Sequence, residues 1–208
     1  MKRNLIKTLI ILVLAIAGTS VANAQFRYGA IAGVQSTNLK FKQDLIGVSG
    51  EIGFQAGVQG ELMFPGLGFG LDLGLIYNQL GAKVNLSERK IWSSLGYGNP
   101  RVYIHDILIP MHLRFKWTRM NGLEDIIAPF VYGGPDFNIT VGHSKCDAFK
   151  YAGGDLGLTV GGGFELFRNW QISCQYTWGM TYAVKTALLD NFSARNRSLS
   201  IRATYFFK

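Results

Sequence analysis

Few residues of this 208-residue chain have the types and spacing to do covalent chemistry. His105 precedes Asp106 and His143 precedes Ser144, so a serine-histidine-aspartate relay has its components if folding brings the two dipeptides together. No spacing rule makes them meet, and hydrolysis stays an alternative here; the main expectation is a protein that is not an enzyme. His112 stands at no ligand-like interval from the other two histidines, and Cys146 and Cys174 are far apart, so no metal and no cofactor are expected. The pattern below puts Cys146 in a connection and Cys174 on a strand, and both should be free thiols.

A second set of residues is defined by phase. Glu51, Glu61, Asp72, Asp106, Arg114, Lys116, Asp136, Asp155, Glu165 and Arg202 occupy alternate positions inside otherwise apolar segments. On a strand, alternate residues share a face, so these ten share one face while the large apolar side chains take the other. Charges withdrawn from water must be paired or hydrated, which predicts an internal ion-pair network.

The elements that must position them are strands. Ile52, Phe54, Ala56, Val58 and Leu62 alternate with Glu51, Gln55, Gln59 and Glu61. Ile107, Ile109, Met111, Leu113, Phe115 and Trp117 alternate with Asp106, His112, Arg114 and Lys116, and Leu199 to Phe207 does the same against Ser198 to Thr204. Eight such segments predict an all-β fold, an eight-stranded antiparallel up-and-down transmembrane β-barrel with lipid outside and a charged, plugged lumen. Glycines four apart, such as Gly29/Gly33 and Gly157/Gly161, fall on the lumen face, where they make room. Pro135 removes a ladder donor from the fifth strand, so a bulge is expected beside it.

Composition agrees with export. Lys2, Arg3 and Lys7, the apolar run Leu9 to Ala17 and Ala22-Asn23-Ala24 read as a signal peptide over residues 1–24, leaving 25–208 as one barrel domain. The net charge of +8 falls to +5 without the three basic leader residues. Export and a lipid-facing surface argue against a nucleic-acid partner. Short connections, Phe64 to Gly68, Thr118 to Ile127 and Arg168-Asn169, alternate with longer ones near 40–49, 82–102, 142–153 and 182–196. That asymmetry puts both termini in the periplasm and the long loops outside. Aromatics sort with it: Phe26, Tyr28, Trp117, Trp170, Tyr205 and Phe207 fall at the periplasmic strand ends. Arg89, Lys90, Arg101, Lys145, Lys150, Arg195 and Arg197 fall near the outer loops, a basic rim at the height of lipopolysaccharide phosphates. Outer-membrane lipid and lipopolysaccharide are therefore the expected partners, with envelope or secretion proteins as further ones.

With these elements placed, the chain resembles the PorT-like family of small Bacteroidetes outer-membrane β-barrels. The resemblance rests on Tyr28-Gly29-Ala30-Ile31-Ala32-Gly33, Ile109-Pro110-Met111-His112-Leu113, Pro129-Phe130-Val131-Tyr132-Gly133-Gly134-Pro135 and Tyr176-Thr177-Trp178-Gly179-Met180, in that order. It implies residence in the bacterial outer membrane, and for PorT itself an association with type IX secretion. Three roles follow as expectations: a non-enzymatic barrel with structural or loop-mediated binding at the cell surface, an accessory component of protein secretion, or a lipid-A-modifying hydrolase. One departure is Lys208 after Phe207, where many outer-membrane barrels end on the aromatic.

Overall fold

The computed structural model describes residues 25–41, 47–64, 66, 68–85, 101–120, 122–144, 149–182, 184–186 and 193–207. Residues 1–24, Arg89, Lys90, Lys145 and Cys146 lie outside them. Eight long strands form the wall: β1 (Gln25–Phe41), β2 (Gly47–Met63), β3 (Phe69–Asn85), β4 (Arg101–Lys116), β5 (Ile127–His143), β7 (Gly154–Leu166), β8 (Trp170–Gly179) and β10 (Ser193–Phe207). Each pairs antiparallel with the next, and β10 returns to β1 over Tyr28↔Phe207 to Phe41↔Ala194, so the ring is closed. Two three-residue strands, β6 (Phe149–Tyr151) and β9 (Val184–Thr186), pair with each other, and β9 extends onto β10. The eight-stranded barrel expected from the alternation is the observed fold.

The faces sort as the alternation requires. Leu73, Leu113, Leu158, Val160 and Ile201 are each 42–58 % exposed on the outside, whereas Glu61, Asp72, Asp106, Arg114 and Asp136 are at most 2 % exposed inside. On β1, β3 and β10 the apolar outer band is short. It runs from Phe26 to Val34 on β1, Phe69 to Tyr77 on β3 and Leu199 to Phe207 on β10, and then gives way to the outward Ser36, Gln79 and Arg197. Such a band matches the roughly 9–11 residues with which a tilted strand crosses a hydrocarbon core. The strands themselves are longer, 17 residues in β1, β2, β3 and β5, so they continue past the band at the end carrying the longer connections. The expected loop near 40–49 thus shortens to five residues between β1 and β2, because strand pairing persists there.

Two local expectations change. Register is constant past Pro135 on both sides, so the β4–β5 ladder is merely interrupted between Pro110↔Asp136 and Leu113↔Gly133. The bulge sits instead at Val141, where the pairing steps from Asp106↔Thr140 to His105↔Gly142, and a second shift lies between Gly50 and Gln55 in the β2–β3 pairing. Proline deletes a donor without adding a residue, and only an extra residue shifts a register. Gly134 keeps the interrupted region close-packed, since a Cβ there would stand 2.3 Å from the Met111 carbonyl oxygen.

Aromatic rings cluster at the short-turn end, with Tyr28 5.7 Å from Phe207, Trp170 4.9 Å from Tyr205 and Phe69 4.9 Å from Phe115 between ring centroids. Val160 stands mid-band and 53 % exposed. Val160→Arg should lose about 2–4 kcal/mol of stability, the depth-dependent penalty of a charge facing lipid. Urea unfolding in lipid vesicles measures it, with Val160→Leu as the unchanged control.

Candidate functional site

The lumen at the short-turn end is filled by one cluster of opposed charges. Arg114 on β4 bonds Asp72 on β3 in bidentate fashion, Nε to Oδ1 at 2.9 Å and Nη2 to Oδ2 at 2.6 Å, while its Nη1 lies 3.1 Å from Glu61 on β2. Lys116 Nζ is 3.0 Å from both Glu61 and Glu165. Arg27 Nη2 joins the same two carboxylates at 2.6 and 2.5 Å, and its Nη1 donates to the Arg168 carbonyl. Gln171 Nε2 donates to Glu61 and Glu165, and its amide oxygen accepts from Arg114. Three cations thus face three carboxylates drawn from five strands. Aromatic faces cover the cations, the Arg114 guanidinium 4.2 Å from the Phe130 ring centroid and that of Arg27 4.8 Å from Phe206.

Alternation explains each inward aim, including that of Arg27, which the sequence reading left out. Arg27 is two residues before the inward Gly29 and four before the buried Ile31, so its phase was available. The next layer is His112, whose Nε2 contacts Asp136 at 2.8 Å, with the Thr159 hydroxyl donating to the same carboxylate. Ile31, Ile76 and Leu108 then pack together inside, each at most 4 % exposed. Gly161 shows how room is made, since its missing Cβ would lie 2.7 Å from the Tyr132 ring, which stacks on His112.

The ten predicted lumen residues therefore do not form one network. Glu61, Asp72, Arg114, Lys116 and Glu165 meet in the cluster, and Asp136 pairs with His112. Among the described residues Asp155 accepts a 3.4 Å bond from Asn138, Arg202 bonds Gln55, and Asp106, opposite Thr140, is in no ion pair. Glu51 is half-buried nearer the long-connection end, its carbonyl accepting from Thr37. In the long-connection half the one cation that borders Asp155, Arg202, bonds the Gln55 amide instead of a carboxylate.

The hydrolytic constellation is not assembled. Asp106 points into the lumen at 0 % exposure, whereas His105, its neighbour in the strand, faces outward and shares a 2.6 Å hydrogen bond with the Tyr77 hydroxyl. Ser144 Oγ accepts from the Tyr103 backbone N–H at 3.1 Å. Consecutive strand residues take opposite faces, so the wall itself separates Asp106 from His105, and His143 Nδ1 lies 3.2 Å from the Ser144 backbone carbonyl. Among the described residues no three His, Cys, Asp or Glu side chains converge on a metal position, and Cys174 is an exposed free thiol. Of the basic rim, Arg195 and Arg197 are exposed, with Arg195 5.0 Å over the Tyr182 ring; Arg101 and Lys150 are placed by their strands.

A family model described as an outer membrane protein beta-barrel domain matches residues 21–183. The chain belongs to that family. Its location is accordingly the outer membrane. No curated protein matches the chain. Among solved structures it is similar to Neisserial surface protein A at 15 % identity, covering 89 % of this chain and 99 % of that one with a TM-score of 0.47. It is also similar to Ail, the attachment invasion locus protein of Yersinia pestis, at 11 % identity, 88 % and 99 % coverage and a TM-score of 0.40. The outer membrane enzyme PagL is a further one, at 12 % identity, 82 % and 97 % coverage and a TM-score of 0.35.

Arg114→Met strands Asp72 and part of the Glu61 charge in a site 2 % exposed or less, and should lower stability by about 3–5 kcal/mol in equilibrium unfolding. At the short-turn rim, Glu124 accepts from the Met120 and Gly122 backbone N–H groups at 3.0 and 2.9 Å, and its own backbone N–H joins them in holding the carboxyl below the usual range. A lowered folded-state value means that this turn contact is fully present above the ordinary carboxylate value and is lost only as pH falls through the lower, folded-state value. The Met120 and Gly122 amide shifts should therefore titrate with a midpoint below the ordinary glutamate value, and a midpoint at that value would contradict the bonding.

Proposed function

We propose that the chain is a non-conducting, non-enzymatic outer-membrane barrel with both termini in the periplasm, whose strand extensions hold anionic lipopolysaccharide headgroups at the cell surface. One observation carries this reading. Beyond the apolar band, cross-strand register puts cations directly opposite cations: Lys40↔Arg195, Lys83↔Arg101 and Lys150↔Lys185. Directly opposed residues share a face, and like charges so placed repel. Three such pairings at one end of the ring concentrate positive potential where phosphate would relieve it through charge-assisted hydrogen bonds. The short-turn end differs, because its lumen cations Arg27, Arg114 and Lys116 are already matched by carboxylates. A lumen filled by ion pairs, Phe130, Phe206 and the Ile31-Ile76-Leu108 layer supports a role without ion passage.

A second reading, accessory work in protein secretion of the kind the PorT-like resemblance implies, is favoured by a separate feature. Leu123, Ile126 and Phe167 stand 51–68 % exposed on two neighbouring short turns, joined by the Phe167 N–H bond to the Ile126 carbonyl and by the Arg168–Asp125 ion pair. These turns would face a periplasmic partner.

The paired variant Lys83→Glu with Arg195→Glu should reduce lipopolysaccharide co-purifying with the barrel several-fold, with the remainder less sensitive to salt. Unchanged lipopolysaccharide in a correctly folded double variant would dismiss the surface reading. Secretion defects in a Leu123→Asp, Phe167→Asp strain with normal barrel levels would favour the second.

A further inference from the structure

The long-connection half of the lumen contains a buried cation that no ion pair accounts for. Arg202 on β10 is 3 % exposed; its Nε donates to Gln55 Oε1 at 2.5 Å, while its Nη2 has no hydrogen-bond acceptor among the described residues. No carboxylate forms a salt bridge with it among those residues, in contrast to Arg114, which has two. A bare guanidinium in such a site is strongly disfavoured.

Two further polar atoms near it are in the same state. Asn196 Nδ2, also from β10, has no acceptor, and Asn138 Oδ1 from β5 has no donor. The Asn138 amide is oriented by its Nδ2 bond to Asp155 Oδ2, so the oxygen is the atom left over. Arg202, Asn196 and Asn138 all line one small cavity of about 20 Å³, together with Asp136 and Asp155. The three residues that carry these unpartnered atoms, two donors and one acceptor, thus line a single space, and Arg202 also borders a smaller one of about 10 Å³ beside His112 and Tyr132.

The lining selects what that space can take. Asp136 and Asp155 repel an anion; for a metal, Asp136 is already engaged by His112 and Thr159 and Asp155 by Asn138, with a guanidinium beside them; and the volume is too small for an organic molecule. A neutral dipole that accepts two hydrogen bonds and donates one satisfies these three atoms. We propose that the cavity is a specific water-binding site, in which one water accepts from Arg202 Nη2 and Asn196 Nδ2 and donates to Asn138 Oδ1. Room for one water requires about 10–15 Å³ and a buried water makes about three hydrogen bonds, and the cavity meets both conditions. Arg202 is then kept charged by hydration and the amides of Gln55 and Asn196 share the site, whereas Arg114 is kept charged by direct pairing. The two buried arginines differ in what their removal leaves behind.

Water-selective NOE and ROE spectra of the unmodified barrel in lipid nanodiscs read the site directly. Cross-peaks of bound-water sign at the Asn196 side-chain amide and the Arg202 guanidinium protons are expected; their absence overturns the proposal. Replacing chloride by sulfate and sodium by potassium should leave those resonances in place, and a shift specific to one ion would overturn it by showing that an ion fills the cavity. Arg202→Met removes a hydrated charge while Asp136, the carboxylate that shares its cavity, keeps His112 and Thr159, so the unfolding midpoint of this variant should fall much less than that of Arg114→Met. Equal downward shifts, or failure of Arg202→Met alone to fold, would count against hydration as the partner of Arg202.

Discussion

Ring closure between β1 and β10 is the constraint from which the remaining features follow. In a hydrocarbon medium an open sheet edge leaves a row of N–H and C=O groups with no partner, at several kcal/mol each. The antiparallel pairing from Tyr28↔Phe207 to Phe41↔Ala194 removes that edge. Once closed with eight strands, the wall has an interior only wide enough for side chains, so whatever points inward must be mutually compatible. Glycines such as Gly161 and the bidentate fit of Arg114 to Asp72 are responses to that narrowness.

The interior solves its charge problem differently at its two ends. Near the short turns, Glu61 touches Arg27, Arg114 and Lys116 at once, and each side chain held for one contact is already ordered for the next. Toward the long connections the cations thin out, and amides and hydroxyls such as Gln35, Gln55, Asn78 and Thr37 take over the bonding. Between these regions the apolar Ile31, Ile76 and Leu108 interrupt the polar column. Outside, on β1, β3 and β10 the apolar band ends well before the strands do, and Lys40, Lys83, Arg195 and Arg197 belong to the part that extends beyond it.

Much of this was readable before any coordinates. Alternation over Ile52 to Leu62 or Leu199 to Phe207 assigns each residue to a face, and the faces are observed as read. Arg27 escaped because β1 is rich in glycine and alanine and carries few large residues to mark its phase. Pro135 misled in a different way: a lost donor looks like a defect in register, but the shift occurred at Val141, which no residue type announces. Of the residues His105, Asp106, His143 and Ser144, the first two part company by the simplest rule of strands, since neighbours in sequence stand on opposite sides of the wall.

The sequence by itself determined the number of wall strands, which side chains meet lipid and which turn inward, because those depend only on a period of two and on transfer from water to hydrocarbon. Only the tertiary structure decided who faces whom across the lumen. That choice depends on the stagger of eight strands around a closed ring, where a shift such as those at Val141 and Gly50 moves a side chain to a new level. Local pattern carries no information about stagger, so Arg114 meeting two carboxylates while Arg202 meets an amide could be read from the closed barrel alone.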